Sequence, residues 1–202
     1  GGTELNHHNL ATRLARDGYL VAAVRHPGDN WQDRSLITSG RYFSERPMQL
    51  SRVLDALLAS PEWGARIPAG RIGAVGHSAG GYGVLALAGG EADPLRAQLH
   101  CRTVQDDPGF CSLAKGEAVP GAGSTQAAPA ASTATPQSSQ APRSAQSAQA
   151  AQRVSVPDRR IRAVVALAPM AMVFTPESLA AITVPVRVIV AERDAVLNGK
   201  YH

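Results

Sequence analysis

Two kinds of apolar spacing alternate along this chain. In residues 8–17, Leu10 and Leu14 stand four apart with Ala11 and Ala15 beside them. Gly18 follows, so the stretch predicts a helix and its stop. Residues 19–24, Tyr-Leu-Val-Ala-Ala-Val, are apolar without a break, as in a strand buried on both faces. A polar loop starts at His26-Pro27-Gly28-Asp29-Asn30 and extends to about Glu45. Pro47 then suits the first position of a helix. That helix shows one face through Leu50, Val53, Leu54, Leu57 and Leu58 and ends by Ser60-Pro61. Residues 71–75 predict another strand, and residues 79–88 a small-residue helix ended by Gly89-Gly90. Residues 161–167 and 186–191 predict two more buried strands. Helices alternating with wholly apolar strands imply an α/β fold, a mostly parallel sheet with helices on both faces.

Composition breaks this pattern once. Residues 118–152 are almost entirely Ala, Ser, Gln, Pro, Thr and Gly, with Arg143 as the only charge. Such a stretch buries too little apolar surface to offset an ordering entropy of roughly 1–2 kcal/mol per residue. It predicts a disordered, low-complexity part of an insertion over residues 100–157. Residues 1–99 and 158–202 are then two parts of one domain, which suits a chain of 202 residues.

The charge balance is mild, 20 basic residues against 16 acidic, with Lys115 and Lys200 the only lysines. No arginine cluster is interleaved with aromatics, which argues against nucleic acid as a partner. No run approaches the roughly 20 apolar residues of a membrane helix.

Gly76-His77-Ser78-Ala79-Gly80 fits G-x-S-x-G between a predicted strand and a predicted helix. A strand that turns straight into a helix holds its central residue in a strained conformation, and the residues two before and two after crowd each other. Gly76 and Gly80 are expected there for that reason. The bend lifts the Ser78 hydroxyl above the sheet and aims the Ala79 N–H, at a helix N-terminus, toward the same space. That N–H is a candidate oxyanion donor. A glycine-rich loop before the first strand is where a second donor comes from, which makes Gly1 and Gly2 candidates.

A serine hydroxyl needs a base, and the base an orienting carboxylate. Residues 186–191 run into Glu192-Arg193-Asp194, so Asp194 is the candidate acid, with Glu192 as the fallback. A loop aspartate capping its own turn is the plainer alternative. The turn Ala168-Pro169-Met170 offers no acid. For the base, the order Ser, Asp, His is met by His202 alone. An imidazole usually returns after another helix and strand, so the expectation is a base in sequence outside this chain. The start, Gly1-Gly2-Thr3-Glu4 without a Met, likewise predicts a chain opening inside the glycine-rich loop.

These residues carry a resemblance. Gly1-Gly2, residues 14–23, His26-Pro27-Gly28-Asp29-Asn30, Arg46-Pro47, Gly76 to Gly81 and Ala191-Glu192-Arg193-Asp194 together resemble an α/β-hydrolase. More narrowly they are similar to the bacterial "predicted dienelactone hydrolase" group, itself similar to platelet-activating-factor acetylhydrolases. The resemblance implies ester hydrolysis through an acyl-enzyme, on a small short-acyl ester, lactone or phospholipid-like substrate, with no cofactor and no metal. Dienelactone hydrolases use a Cys nucleophile where this chain has Ser78. The family's catalytic His near the C-terminus and its Ser-Gly or His-Gly segment before Gly1-Gly2 are absent here. A non-catalytic remnant, or a lipid- or polyester-binding module on the same fold, is the alternative function.

Trp31, in the loop beside Tyr42 and Phe43, and His77, inside the elbow, are the candidate substrate-pocket residues. Cys101 and Cys111 are either two free thiols or a disulfide stabilising their loop by ~2–3 kcal/mol. A disulfide implies the periplasm or secretion, free thiols the cytoplasm. Asp106-Asp107 ahead of Pro108-Gly109 predicts a solvated turn.

Overall fold

Three strands, β1 (Ile72–His77), β2 (Ile161–Leu167) and β3 (Val186–Ile189), form one parallel sheet in that order. The computed structural model describes residues 2–115 and 153–202. Residues 118–152, predicted as disordered, lie outside the described residues, as does Gly1. The ladder sets His77 beside Leu167 and Leu167 beside Ile189, so the three strands end at one level. The described helices are α1 (His8–Arg16), α2 (Tyr42–Ala59), α3 (Ala79–Leu87), α4 (Pro94–Thr103), α5 (Pro108–Lys115) and α6 (Pro176–Ala180). The chain is a mixed α/β structure.

The core is built on α3. Small and apolar residues on every side let it lie against β1 and β2, and Gly81 to Leu87 are all buried. Tyr82 and Phe174 stack at 5.1 Å between ring centroids, with Val84, Val164 and Ala166 around them.

α2 begins at Tyr42, so Pro47 sits inside it rather than at its first position. A proline there cannot donate to the carbonyl four residues back, Phe43 O. The Tyr82 hydroxyl donates to that oxygen at 2.6 Å instead. The core tyrosine thus satisfies the acceptor that the proline leaves open. Tyr82→Phe should destabilise the fold by about 1–3 kcal/mol, the cost of an unsatisfied buried carbonyl. A urea titration checks it by a lowered midpoint at unchanged slope.

Other expectations are corrected as well. Residues 19–24 pair with no strand among the described residues, and Tyr19, Leu20 and Val21 are exposed. β1 and β3 are not buried on both faces. β1 alternates between half-buried and exposed positions, Val75 being 45% exposed, and β3 is exposed along its length and stops at Ile189. Among the described residues α3 packs against β1 and β2, while α1 buries none of its residues. An apolar run shows what a strand tolerates, but burial needs a covering neighbour.

Within the described part of the expected insertion and just before it, α4 and α5 pack Ala97 and Phe110 into the core. Cys101 and Cys111 form a disulfide with Cα atoms 5.5 Å apart. Asp107 is 2% exposed, so the turn before Pro108 is not a solvated one.

Candidate active site

Ser78 lies between the end of β1 and the start of α3 with φ 55° and ψ −117°. This is left-handed territory that costs a non-glycine residue about 1–3 kcal/mol unless its surroundings enforce it. Backbone bonds do so here. Ser78 N donates to Leu167 O at 2.9 Å, and Ser78 O accepts from Met170 N and Tyr82 N, each at 3.1 Å. The bend is therefore pinned to β2 and to α3 together.

Close approach explains one glycine of the motif and corrects the other. A Cβ on Gly76 would lie 2.1 Å from Gly80 O, so only glycine fits. A Cβ on Gly80 meets nothing within 4 Å. The second steric demand falls on Gly81, whose Cβ would lie 2.7 Å from Pro169 Cα. Gly80's own Cβ direction points away from the crowded side of the bend.

The Ser78 hydroxyl makes no hydrogen bond among the described residues. The Ala79 N–H opens α3 and has no acceptor within that helix, as for any first-turn donor. On the other side of this turn, Arg46 Nε donates to Ala79 O at 3.0 Å. Arg46 Nη1 also pairs with Asp29 Oδ2, and the Tyr42 hydroxyl donates to the same oxygen at 3.1 Å. Burial works to raise the Asp29 carboxyl, but the Arg46 charge leads the influences, the Tyr42 hydrogen bond among them, that hold it below the usual range. Next in sequence, Asn30 forms a parallel bridge with Gly2. Through this loop the candidate donors Gly2 and Ala79 are tied to one buried ion pair. Sequence reading placed Asp29 and Arg46 within recognisable motifs but assigned neither to the site. Their pairing across 17 residues leaves no local signal.

Asp194 follows β3 in the turn at the carboxyl end of the sheet. Its Oδ1 accepts from Val196 N at 2.8 Å and Leu197 N at 2.9 Å, so it does cap its own turn. It also faces the elbow electrostatically. Burial lowers the His77 imidazole, His7 lowers it further, and Asp194 acts the other way. Glu192 is exposed.

His202 bonds other groups than Ser78. Its Nδ1 accepts from Met172 N at 3.4 Å and its Nε2 faces Asp107 Oδ2 at 3.1 Å, so both ring nitrogens are engaged. His100 Nε2 also bonds Asp107 Oδ2, at 2.7 Å, and His26 Nδ1 bonds Gln49 Oε1 at 2.8 Å. Among the described residues no group of three or more His, Cys, Asp or Glu side chains is arranged to hold a metal. No described helix is long and apolar enough to cross a membrane.

The candidate pocket residues Trp31 and His77 line neither of two cavities found among the described residues. Trp31 is 54% exposed, and His77 is exposed with its ring edge-on to His7 at 5.2 Å. A cavity of about 390 Å³ opens instead at the amino ends of β1 and β2, beside Ile72 and Arg162, and one of about 290 Å³ lies along α4. Neither touches Ser78.

Burial and the Arg46 charge push the His26 imidazole down to about 4, against the Gln49 hydrogen bond. A lowered histidine stabilises the fold above its unfolded value near 6.5 and loses that contribution as pH falls toward 4. The loss should be on the order of 2–3 kcal/mol. Urea midpoints measured across that window should decline in the wild type and flatten in His26→Asn.

No family model, no curated protein and no solved structure matches the chain.

Proposed function

We propose that this protein is a serine hydrolase of carboxylic esters, built on an α/β-hydrolase fold and working through an acyl-enzyme. The observation that carries the reading is the backbone of Ser78: a positive φ held between a parallel strand and a helix N-terminus. Strain of this kind clusters at functional sites. In this reading Ser78 Oγ attacks the ester carbonyl. The Ala79 N–H, with one from the Gly2 segment, receives the charge developing on the carbonyl oxygen. The serine proton passes to an imidazole and then to the departing alcohol, and a water molecule repeats the cycle to release the acid. Asp194 orients that imidazole and stabilises it while charged. Its second carboxylate oxygen is not used by the turn it caps.

No described histidine is assigned as the base. The absence of an imidazole bonded to Ser78 among the described residues favours one second reading, an ester- or lipid-binding module that does not turn substrate over. The Cys101–Cys111 bridge supports an oxidising compartment for either.

A fluorophosphonate probe separates the two. Labelling of the folded chain that disappears in Ser78→Ala supports the hydrolase. Removing a nucleophile leaves only about 10³–10⁴-fold catalysis over water. Folded protein that binds a short-chain ester without labelling or turnover supports the binding module and sinks the hydrolase.

A further inference from the structure

The turn joining α4 to α5 grips the segment that follows Asp194. Asp107 Oδ2 faces His100 Nε2 at 2.7 Å and His202 Nε2 at 3.1 Å, while its Oδ1 accepts from Asn198 N at 3.4 Å. Beside it, Asp106 O accepts from Asn198 Nδ2 at 3.1 Å, and Asp106 Oδ1 accepts from the Tyr201 hydroxyl at 2.6 Å. The Cys101–Cys111 bridge closes the loop that carries both aspartates, so the grip is anchored covalently to two helices. The segment it holds continues directly from Val196 and Leu197, whose N–H groups bond Asp194 Oδ1. A hold on Asn198 and His202 is therefore a hold on the Asp194 turn.

A further contact of this segment depends on a proton. His202 Nδ1 accepts from Met172 N, so the single ring proton sits on Nε2 and is donated to Asp107. A second proton must go to Nδ1, where its N–H would oppose the Met172 N–H. The charged ring cannot keep both neighbours in place. Several groups face His202. From the α4–α5 turn come Asp107 and His100, and from the strand-end loop comes Asp194. The Phe110 ring packs on it at 4.9 Å. Tyr201 and Lys200, on its own segment, turn to Asp106. Burial is the largest influence and lowers the imidazole, as His100 does, while Asp107 and Asp194 act the other way.

We propose that Asp107 is a positioning residue for Asp194, acting through a clasp that seats residues 198–202 between Asp107 and Met172 while His202 is neutral and loses its Met172 side when His202 gains a proton. The catalytic consequence rests on Asp194 being the acid of the proposed hydrolase. The clasp itself stands on the contacts.

Amide hydrogen exchange on the full chain tests it, comparing about pH 7.5 with about pH 4.5. Protection of residues 194–202, corrected for the intrinsic pH dependence of exchange, should fall by about tenfold or more, while that of α3 changes by less than about threefold. In His202→Gln the side-chain amide can still donate to Asp107 and accept from Met172 but does not titrate, so protection should hold at both pH values. No fall in the wild type overturns the clasp. So does an equal fall in His202→Gln, or a fall shared fully by α3. With fluorophosphonate, the acid limb of the Ser78 labelling profile should move in His202→Gln. If Ser78 is never labelled, the hydrolase reading fails while the exchange result still decides the clasp.

Discussion

Gly76→Ala is expected to destabilise the protein by about 3–5 kcal/mol and to abolish any labelling of Ser78, whereas Gly80→Ala is expected to be neutral or slightly stabilising. The two glycines look equivalent in the motif, but the bend treats them differently. An added methyl at Gly76 lands 2.1 Å from Gly80 O, and 2.2 Å from its carbonyl carbon. Both atoms are backbone, so relief requires the strand and helix to separate. Separation would break the Ser78 bonds to Leu167 and Met170 that hold the serine in its positive φ. At Gly80 the methyl enters open space inside a helix, where alanine exceeds glycine by about 0.5–1 kcal/mol. Denaturant unfolding of the two variants side by side is the measurement. Equal losses at both positions would show that the bend is not built as described.

Arg46→Met is expected to cost up to about 3–5 kcal/mol, because it takes the guanidinium from a buried Asp29 carboxylate whose remaining partners, the Tyr42 hydroxyl among them, compensate it only in part. Asp29 is 4% exposed and Arg46 8%. Combining Arg46→Met with Asp29→Asn should recover part of the loss, since no charge then remains to be desolvated. The catalytic effect should not recover in parallel. Only arginine reaches both Asp29 and Ala79 O, so the double variant regains stability while the loop bearing Asn30 and Gly2 stays untied from the elbow. The check is a double-mutant cycle on unfolding free energy, run alongside the rate of fluorophosphonate labelling. Full recovery of both quantities would reduce the pair to a packing feature.

Much of this was legible in the chain, for identifiable reasons. Backbone chemistry that is local in sequence leaves local marks. Gly76 to Gly80 announce a bend because strand and helix are covalently joined there, and Gly18 ends α1 with φ 90° as a glycine stop does. Parallel strands follow from the spacing of apolar runs, and β1, β2 and β3 lie where those runs are. Contacts between distant residues leave no such mark. Pro47 pointed to a helix start because the oxygen of Tyr82 that makes its interior position tolerable is 39 residues away from its acceptor. Asp107 read as a surface turn because the histidines that bury it come from α4 and from the segment after Asp194.

From its order of residues alone, the chain determined a parallel α/β arrangement, a serine at a forced bend, and an aspartate in the loop after the last strand. Each depends on neighbours within a few positions, where sterics and hydrogen bonding are set by residue type. Assembly in three dimensions decided how far the sheet is covered and which glycines are sterically obliged. It also decided that His202 is spent on Asp107 and Met172, and that Asp29 and Arg46 tie the bend to its neighbouring loop. Burial and charge pairing depend on what packing brings close, and the same residue types in the same order are compatible with many such encounters.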